Sequence, residues 1–240
     1  MDFNNYSNFT NDRSRELELA HAFPMLMRKV YVWMTMALAI TGIVAYGVST
    51  SASMASMLYT SSAPLLIACL AELGIVFYLS SRIYKLSLTA ATGWFIAFSV
   101  INGITMGWIF LAYSIASIAK TFFITAGTFG AMAIVGSTTK KDLTKMGGIL
   151  MMALIGLIIA SLVNLFLKSG TMDYIVSAIG VLVFTGLTAW DAQTIKRQLM
   201  MAPDAGESAQ KIALLGSLSL YLDFINLFLY LLRFFGSSRD

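Results

Sequence analysis

The sequence predicts an all-α integral membrane protein, a bundle of seven transmembrane helices with the last helix at its centre. Three observations lead there. Of 240 residues, 58% are hydrophobic and 12% are charged, about half the charge of a soluble domain, and the mean hydropathy is +0.78. The apolar residues fall into separate runs of about 20, each long enough to cross roughly 30 Å of hydrocarbon as a helix. The last run, GSLSLYLDFINLFLYLLRFF (216–235), has Asp223 set inside it. A carboxylate at that depth costs roughly 2.5–3.5 kcal/mol unless it finds a partner, a proton or water.

In chain order the predicted spans are 28–50, 64–82, 87–113, 119–138, 146–167, 174–197 and 216–235. A polar cytoplasmic tail (1–27) precedes this transmembrane domain (28–236), and a short C-terminal tail (237–240) follows it. The first tail has no apolar core and no small-residue cleavage site, so it is not a signal peptide and the first span is expected to be retained. The Ser- and Ala-rich stretch 49–63 reads as a solvated connector, and 200–215, with Pro203 and Gly206, as the longest loop. The seventh span is taken to start at Gly216, since a helix from there is long enough to cross.

The net charge of +4 does not imply nucleic acid, because the basic residues stand in small groups beside the apolar runs. With the N-terminus in the cytoplasm, Lys120, Lys168, Arg233 and Arg239 lie outside and every other basic residue lies inside. That bias predicts the orientation, and an odd number of spans puts the C-terminus outside. The single cysteine, Cys69, falls within a span and reads as a packing residue; the single histidine, His21, lies in the tail, which excludes a histidine-based zinc motif. The lipid bilayer is the expected principal partner, and a bacterial inner membrane is the location implied by the resemblance given below.

Gly103 and Gly107 form a GxxxG on the third span, and Gly156 with Ala160 a small-xxx-small pair on the fifth. Both imply close helix contacts, expected to be internal. Asn102 and Asn164 are expected to hydrogen-bond across helices. Glu72 lies mid-span, and Arg82 ends the same helix about 15 Å away, too far to pair with it. Arg82 reads either as a headgroup anchor, which spacing favours, or as a cation turned inward to a carboxylate.

Asp191 lies about 9 Å inside the end of the sixth span and Asp223 about 10 Å inside the same end of the seventh. Consecutive antiparallel helices are neighbours, so the two aspartates are predicted to meet and share a proton. Ser219, Asp223, Asn226, Tyr230 and Arg233 follow at spacings of four and three, which places them on one face. Such a stripe belongs in the interior, where it lines a pathway or fixes helix register.

The stretches FTGLTAWDAQTIK (184–196) and SLYLDFINLFLYLLRFFG (219–236) resemble the signature of the transmembrane Bax inhibitor motif family in its bacterial branch. TTKKDLTKMG (138–147), ASLVNLFL (160–167) and the Glu72/Arg82 pair extend the resemblance. It implies a seven-helix fold with a central last helix, and a pH-sensitive calcium leak. On the matching residues, it implies Asp191 and Asp223 as a proton-sharing sensor, Arg82 as a latch onto them, and Glu72 as a pathway carboxylate. Asn226 and Tyr230 extend that pathway along the stripe. Calcium is then a permeant ion, with Asp191, Asp223 and Glu72 as transient oxygen ligands, and no cofactor is expected. The 200–215 loop departs from the compact turn the resemblance leads one to expect.

Two touching carboxylates titrate in separated macroscopic steps, so a shared proton acts as a switch. No enzyme is expected: an intramembrane aspartyl protease needs a GxGD-type motif where this chain has TAWD and YLDF. The last span has no lysine for a retinal Schiff base. A membrane regulator acting on a protease or stress-response partner is the alternative reading, and a proton-coupled transporter a lesser one, disfavoured by the lack of an internal repeat.

Overall fold

The computed structural model describes residues 3–237, with side chains from Leu17 onward except at position 20. It contains α1 (Phe3–Thr50), α2 (Ala52–Tyr59), α3 (Ser62–Arg82), α4 (Leu88–Met106), α5 (Ile109–Ala112), α6 (Ile115–Thr138), α7 (Thr144–Leu167), α8 (Gly170–Met200) and α9 (Glu207–Phe235). No strand occurs among the described residues. Seven segments are long and apolar enough to cross a membrane: His21–Thr50, Ser62–Arg82, Leu88–Ala112, Ile115–Thr138, Thr144–Leu167, Gly170–Met200 and Glu207–Phe235. The seven expected spans are therefore present, in order, in an all-α membrane protein.

Four boundaries differ from expectation, each for a local reason. The N-terminal tail is helical from Phe3, continuous with the first span through Pro24. Leu19, Leu26, Val30, Met34, Ala37 and Thr41 are buried at helical spacing, so the inward face starts before the hydrocarbon does. The connector 49–63 contains α2, started by Ser51, whose side chain accepts from the Met54 amide. The third span is broken at Gly107 and Trp108, and the Tyr59 hydroxyl donates to the Ile104 carbonyl at 2.7 Å beside the break. Helix α9 starts at Glu207, well before Gly216. Its extra turns carry the Glu207–Lys211 ion pair at 2.9 Å, one helical turn apart, and bury Ala209, Ile212 and Ala213. Hydropathy marks where hydrocarbon begins, and a helix has no need to end there. The link from α8 to α9 is thus residues 201–206, a compact turn after all. The segment 238–240, with Arg239, lies outside the described residues.

Helix α9 is the most buried span, with 72% of its apolar window enclosed; α8 follows at 50%, and α7 has 6%. Helix α9 packs on α8, α1, α6 and α4, whereas α7 packs on α8, and α3 on α4 and α2. Lys29 Nζ donates to Gln210 Oε1 at 2.9 Å and Ser217 Oγ to the Val30 carbonyl at 2.9 Å, which tie α9 to α1. The two small-residue motifs part company. A Cβ on Gly103 would stand 2.7 Å from Val44 Cβ and 2.8 Å from the Thr41 carbonyl, so the GxxxG is an internal α4–α1 contact. Gly156 has nothing within 4 Å and faces outward.

Gly103→Ala should therefore lower the melting temperature in detergent, because overpacking of about 1–3 kcal/mol exceeds the roughly 0.5–1 kcal/mol that alanine gains in a helix. Gly156→Ala, measured the same way, should leave it unchanged or raise it.

Candidate functional site

Helix α8 is seated by backbone contacts on both flanks of Asp191. Gly136 of α6 lies so close to the Ala189 carbonyl that any Cβ there would collide, and Gly147 of α7 is covered by the Trp190 ring. Facing α9, Gly180 lies against the Tyr230 ring and Gly216 against Ile195. These two contacts set the antiparallel register of α8 and α9. Counted from them at ~1.5 Å per residue, Asp191 and Asp223 stand within about one turn of each other, with Asp223 the deeper. The expected equality of depth, which rested on a start at Gly216, gives way to this register, in which Asp223 lies deeper by about one turn whatever the start of α9.

Asp223 is 5% exposed, and its Oδ2 is buried with no hydrogen-bond donor in reach. Asp191 stands about one turn away across the α8–α9 seam. Asp191 is partly buried and lines a cavity of about 220 Å³ between α3, α8 and α9, together with Val76, Ser80, Thr194, Gln198, Gly216 and Ser219. Three ion pairs occur among the described residues, Arg197–Asp142, Lys211–Glu207 and Arg233–Asp173, and none involves either aspartate. Two carboxylates that see each other and no cation can be joined only through a proton or an external cation.

Arg82 does not join them. It is exposed at the end of α3 and makes no ion pair among the described residues. Ser80 turns toward Asp191, and a residue two positions on points to nearly the opposite side of the helix, which accounts for Arg82 facing away. Glu72 belongs to a separate cluster. Its Oε1 accepts from Thr105 Oγ1 at 2.7 Å and its Oε2 from Asn102 Nδ2 at 3.2 Å. Asn102 Oδ1 in turn accepts from the Tyr221 hydroxyl at 2.8 Å, and that hydroxyl lies 2.6 Å from Thr41 Oγ1. Asn102 therefore bridges helices as expected, but Asn164 does not: its Oδ1 accepts from the Ser169 amide in the turn that ends its own helix.

The stripe on α9 faces α8. Ser219 lines the cavity, Tyr230 stacks on Phe184 at 5.8 Å, and Arg233 bonds Asp173 at 3.1 Å near the far end of α8. Asn226 turns back to the Leu222 carbonyl of its own helix at 2.8 Å, so it and Tyr230 are engaged within the packed seam. Tyr221, Thr41 and Thr105 were not singled out in the sequence. Hydroxyls satisfy themselves on their own helix at little cost, so nothing in a linear pattern marks the ones that bridge.

A family model described as inhibitor of apoptosis-promoting Bax1 matches residues 24–240. The chain belongs to that family. Among its relatives, this Bax inhibitor family protein is 47% identical to inner membrane protein YbhL of Escherichia coli K12 over 214 residues, 89% of this chain and 92% of YbhL. A Borreliella burgdorferi protein is 43% identical, with 89% of this chain and 92% of that one aligned. Protein RP147 of Rickettsia prowazekii is 42% identical over 89% and 90% of the two chains.

In this family member a polar clasp holds the α6–α7 turn against α8. Gln193 accepts from the Leu143 amide at 2.8 Å and donates to the Lys141 carbonyl at 2.8 Å, and Lys196 Nζ donates to the Ser137 carbonyl at 2.7 Å. Arg197 completes it on Asp142 and Thr144, at 3.0 and 3.1 Å. Hydrogen bonds from the Thr144 hydroxyl and amide, and then from Arg197, hold the Asp142 carboxyl down from 3.8 to about 2. A group with a lowered folded value contributes its stability in full above the unfolded value and loses it as pH falls through the folded one. Asp142→Asn should therefore speed amide hydrogen exchange across residues 139–144 at neutral pH, and the difference from wild type should vanish as the pH approaches about 2.

The unpartnered Oδ2 gives a second expectation. Asp223→Asn supplies an amide donor beside Asp191 and removes a charge, so thermal stability in detergent should rise by about 1–3 kcal/mol at alkaline pH and change little in acid.

Proposed function

We propose that this protein is a pH-sensitive calcium leak of the bacterial inner membrane, switched by protonation of the Asp191–Asp223 pair. The observation that carries the reading is the pair itself: two aspartates within about one turn of each other on adjacent, tightly registered helices, in none of the ion pairs among the described residues, one of them lining a cavity shared with α3. A neutral amide would fix helix register as well at lower cost, so two acids at this position favour a titrating role. Calcium enters from the family resemblance and from the preference of a hard cation for carboxylate oxygens. The inner-membrane location is supported by the likeness to inner membrane protein YbhL, and a cytoplasmic N-terminus by the distribution of basic residues.

In this reading one shared proton keeps α8 and α9 together; losing it sets two charges against each other across the seam, and gaining a second replaces the charge-assisted bond with a weaker one between neutral acids. Either change biases the α3–α8–α9 cavity. The Arg82 latch belongs to a conformation other than the one described here, one in which the end of α3 has turned toward the cavity.

The test is calcium flux into proteoliposomes over a range of pH. Wild type should show a pH-dependent flux, and the Asp191→Asn, Asp223→Asn double variant a flat profile changed by tenfold or more at one end. A double variant with the wild-type profile would remove the aspartates from gating.

A further inference from the structure

The cluster on the other face of α9 contains more short polar contacts than it has hydrogens to fill them. Six run in sequence from Glu72: to Thr105 Oγ1 (2.7 Å), from Thr105 to the Asn102 carbonyl (2.9 Å), from Asn102 Nδ2 to Glu72 (3.2 Å), from Tyr221 to Asn102 Oδ1 (2.8 Å), between Tyr221 and Thr41 (2.6 Å), and from Thr41 to the Ser99 carbonyl (2.9 Å). Asn102 directs one N–H along them, and each of the three hydroxyls has one hydrogen. If Glu72 is ionised, Thr105 must choose between the carboxylate and the Asn102 carbonyl. If Glu72 is an acid, its O–H donates to Thr105 Oγ1, and the Thr105 hydrogen is free for that carbonyl. A Glu72 acid thus satisfies both contacts of Thr105, while the Thr41 hydrogen still has to choose between the Tyr221 hydroxyl and the Ser99 carbonyl, so it is the Thr105 end of the chain that fits a carboxylic acid.

The surroundings agree. No basic side chain pairs with Glu72 among the described residues. The titratable groups nearest it are Cys69, one turn away on its own helix, and Tyr221 on α9, and both are neutral in their ordinary state. Helix α4 contributes Asn102 and Thr105 and α1 contributes Thr41, none of which titrates, while Tyr59 of α2 is bonded to the Ile104 carbonyl. Tyr221 is fully buried, with the edges of its ring contacts set by Phe95 and Phe98 at 6.1 and 5.5 Å, so its hydroxyl is held in place.

We propose that Glu72 is a proton-binding site distinct from the aspartate pair, and that its acid form locks α3 onto α4 and, through Asn102 and Tyr221, onto α9 and α1. Helix α3 has 11% of its apolar window buried and packs mainly on α4, so two hydrogen bonds are a large share of what holds it. Release of the proton to water leaves a charge with too few donors, and moving α3 toward solvent relieves it. Asn102, Thr105 and Tyr221 are positioning residues for that acid. The proposal gives Glu72, expected above as a pathway carboxylate, a role of its own that requires neither the aspartates nor calcium.

Infrared difference spectroscopy in proteoliposomes, titrated from acid to alkaline pH, reads the proton directly. Wild type should show a protonated-carboxyl band that Glu72→Gln loses, that the Asp191→Asn, Asp223→Asn variant keeps, and that shifts in Tyr221→Phe. No such band at any pH, or an unchanged band in Glu72→Gln, overturns the site. Spin labels on Cys69, which is exposed, and on Ile124→Cys of α6 read the lock. The distance distribution should be narrow while the band is present and broaden as it disappears, and should stay narrow at all pH in Glu72→Gln, whose amide keeps the contacts without the charge. A Glu72→Gln distribution that broadens with pH like wild type overturns the lock. Because the aspartate variant is followed in parallel, a failed leak reading and a failed lock give different patterns.

Discussion

Close approach of α8 to the three helices around it is the constraint on which the rest of the bundle depends. Gly136, Gly147, Gly180 and Gly216 each place bare backbone where the partner helix supplies a carbonyl or a side chain. In hydrocarbon there is no hydrophobic gain from bringing two apolar helices together, so contact area at short range must supply the attraction. That packing fixes both the rotation and the level of α8. The position of Asp191 follows from it and from little else, since the carboxylate itself has no partner to hold it.

The polar groups of the membrane region are divided by α9 into two sets. Ser219 lines the cavity with Asp191, and Asp223 follows it one turn on, while Tyr221 looks toward α1 and α4 and the chain of contacts that ends on Glu72. Residues two apart on a helix point about 200° from each other, so adjacent letters of one motif serve opposite sides. A rotation of α9 that improves the surroundings of one set worsens those of the other.

The seven spans were legible in the sequence because they rest on hydropathy, and the two aspartates stand out within them because a charge interrupts an apolar run visibly. The start of α9 at Glu207 was not, because Glu207–Leu215 mixes charged and apolar residues in a helix stabilised by packing on α1 and not by lipid. The direction of Arg82 depends on the rotation of α3, and a single terminal residue gives no rotation; Ser80, seen lining the cavity, does. Asn102 was legible as a bridging amide, but its partners were not, since Tyr221, Thr41 and Thr105 look like any hydroxyl in a span. Asn164 was misread because a side chain near a helix end has its own chain's next amide to cap, as the Ser169 bond shows.

The short turn at residues 201–206 bears on how the protein is made. During synthesis α8 emerges with Asp191 about 30 residues before Asp223 is available, and each helix alone presents an acid to lipid at roughly 2.5–3.5 kcal/mol. A connector this tight allows the two segments to enter as a preformed hairpin, in which one proton held between the two acids would leave a single negative charge to carry instead of two. The last two helices are then a single unit of membrane integration, and a ribosome that stalls between them leaves a segment with an acid it cannot hide.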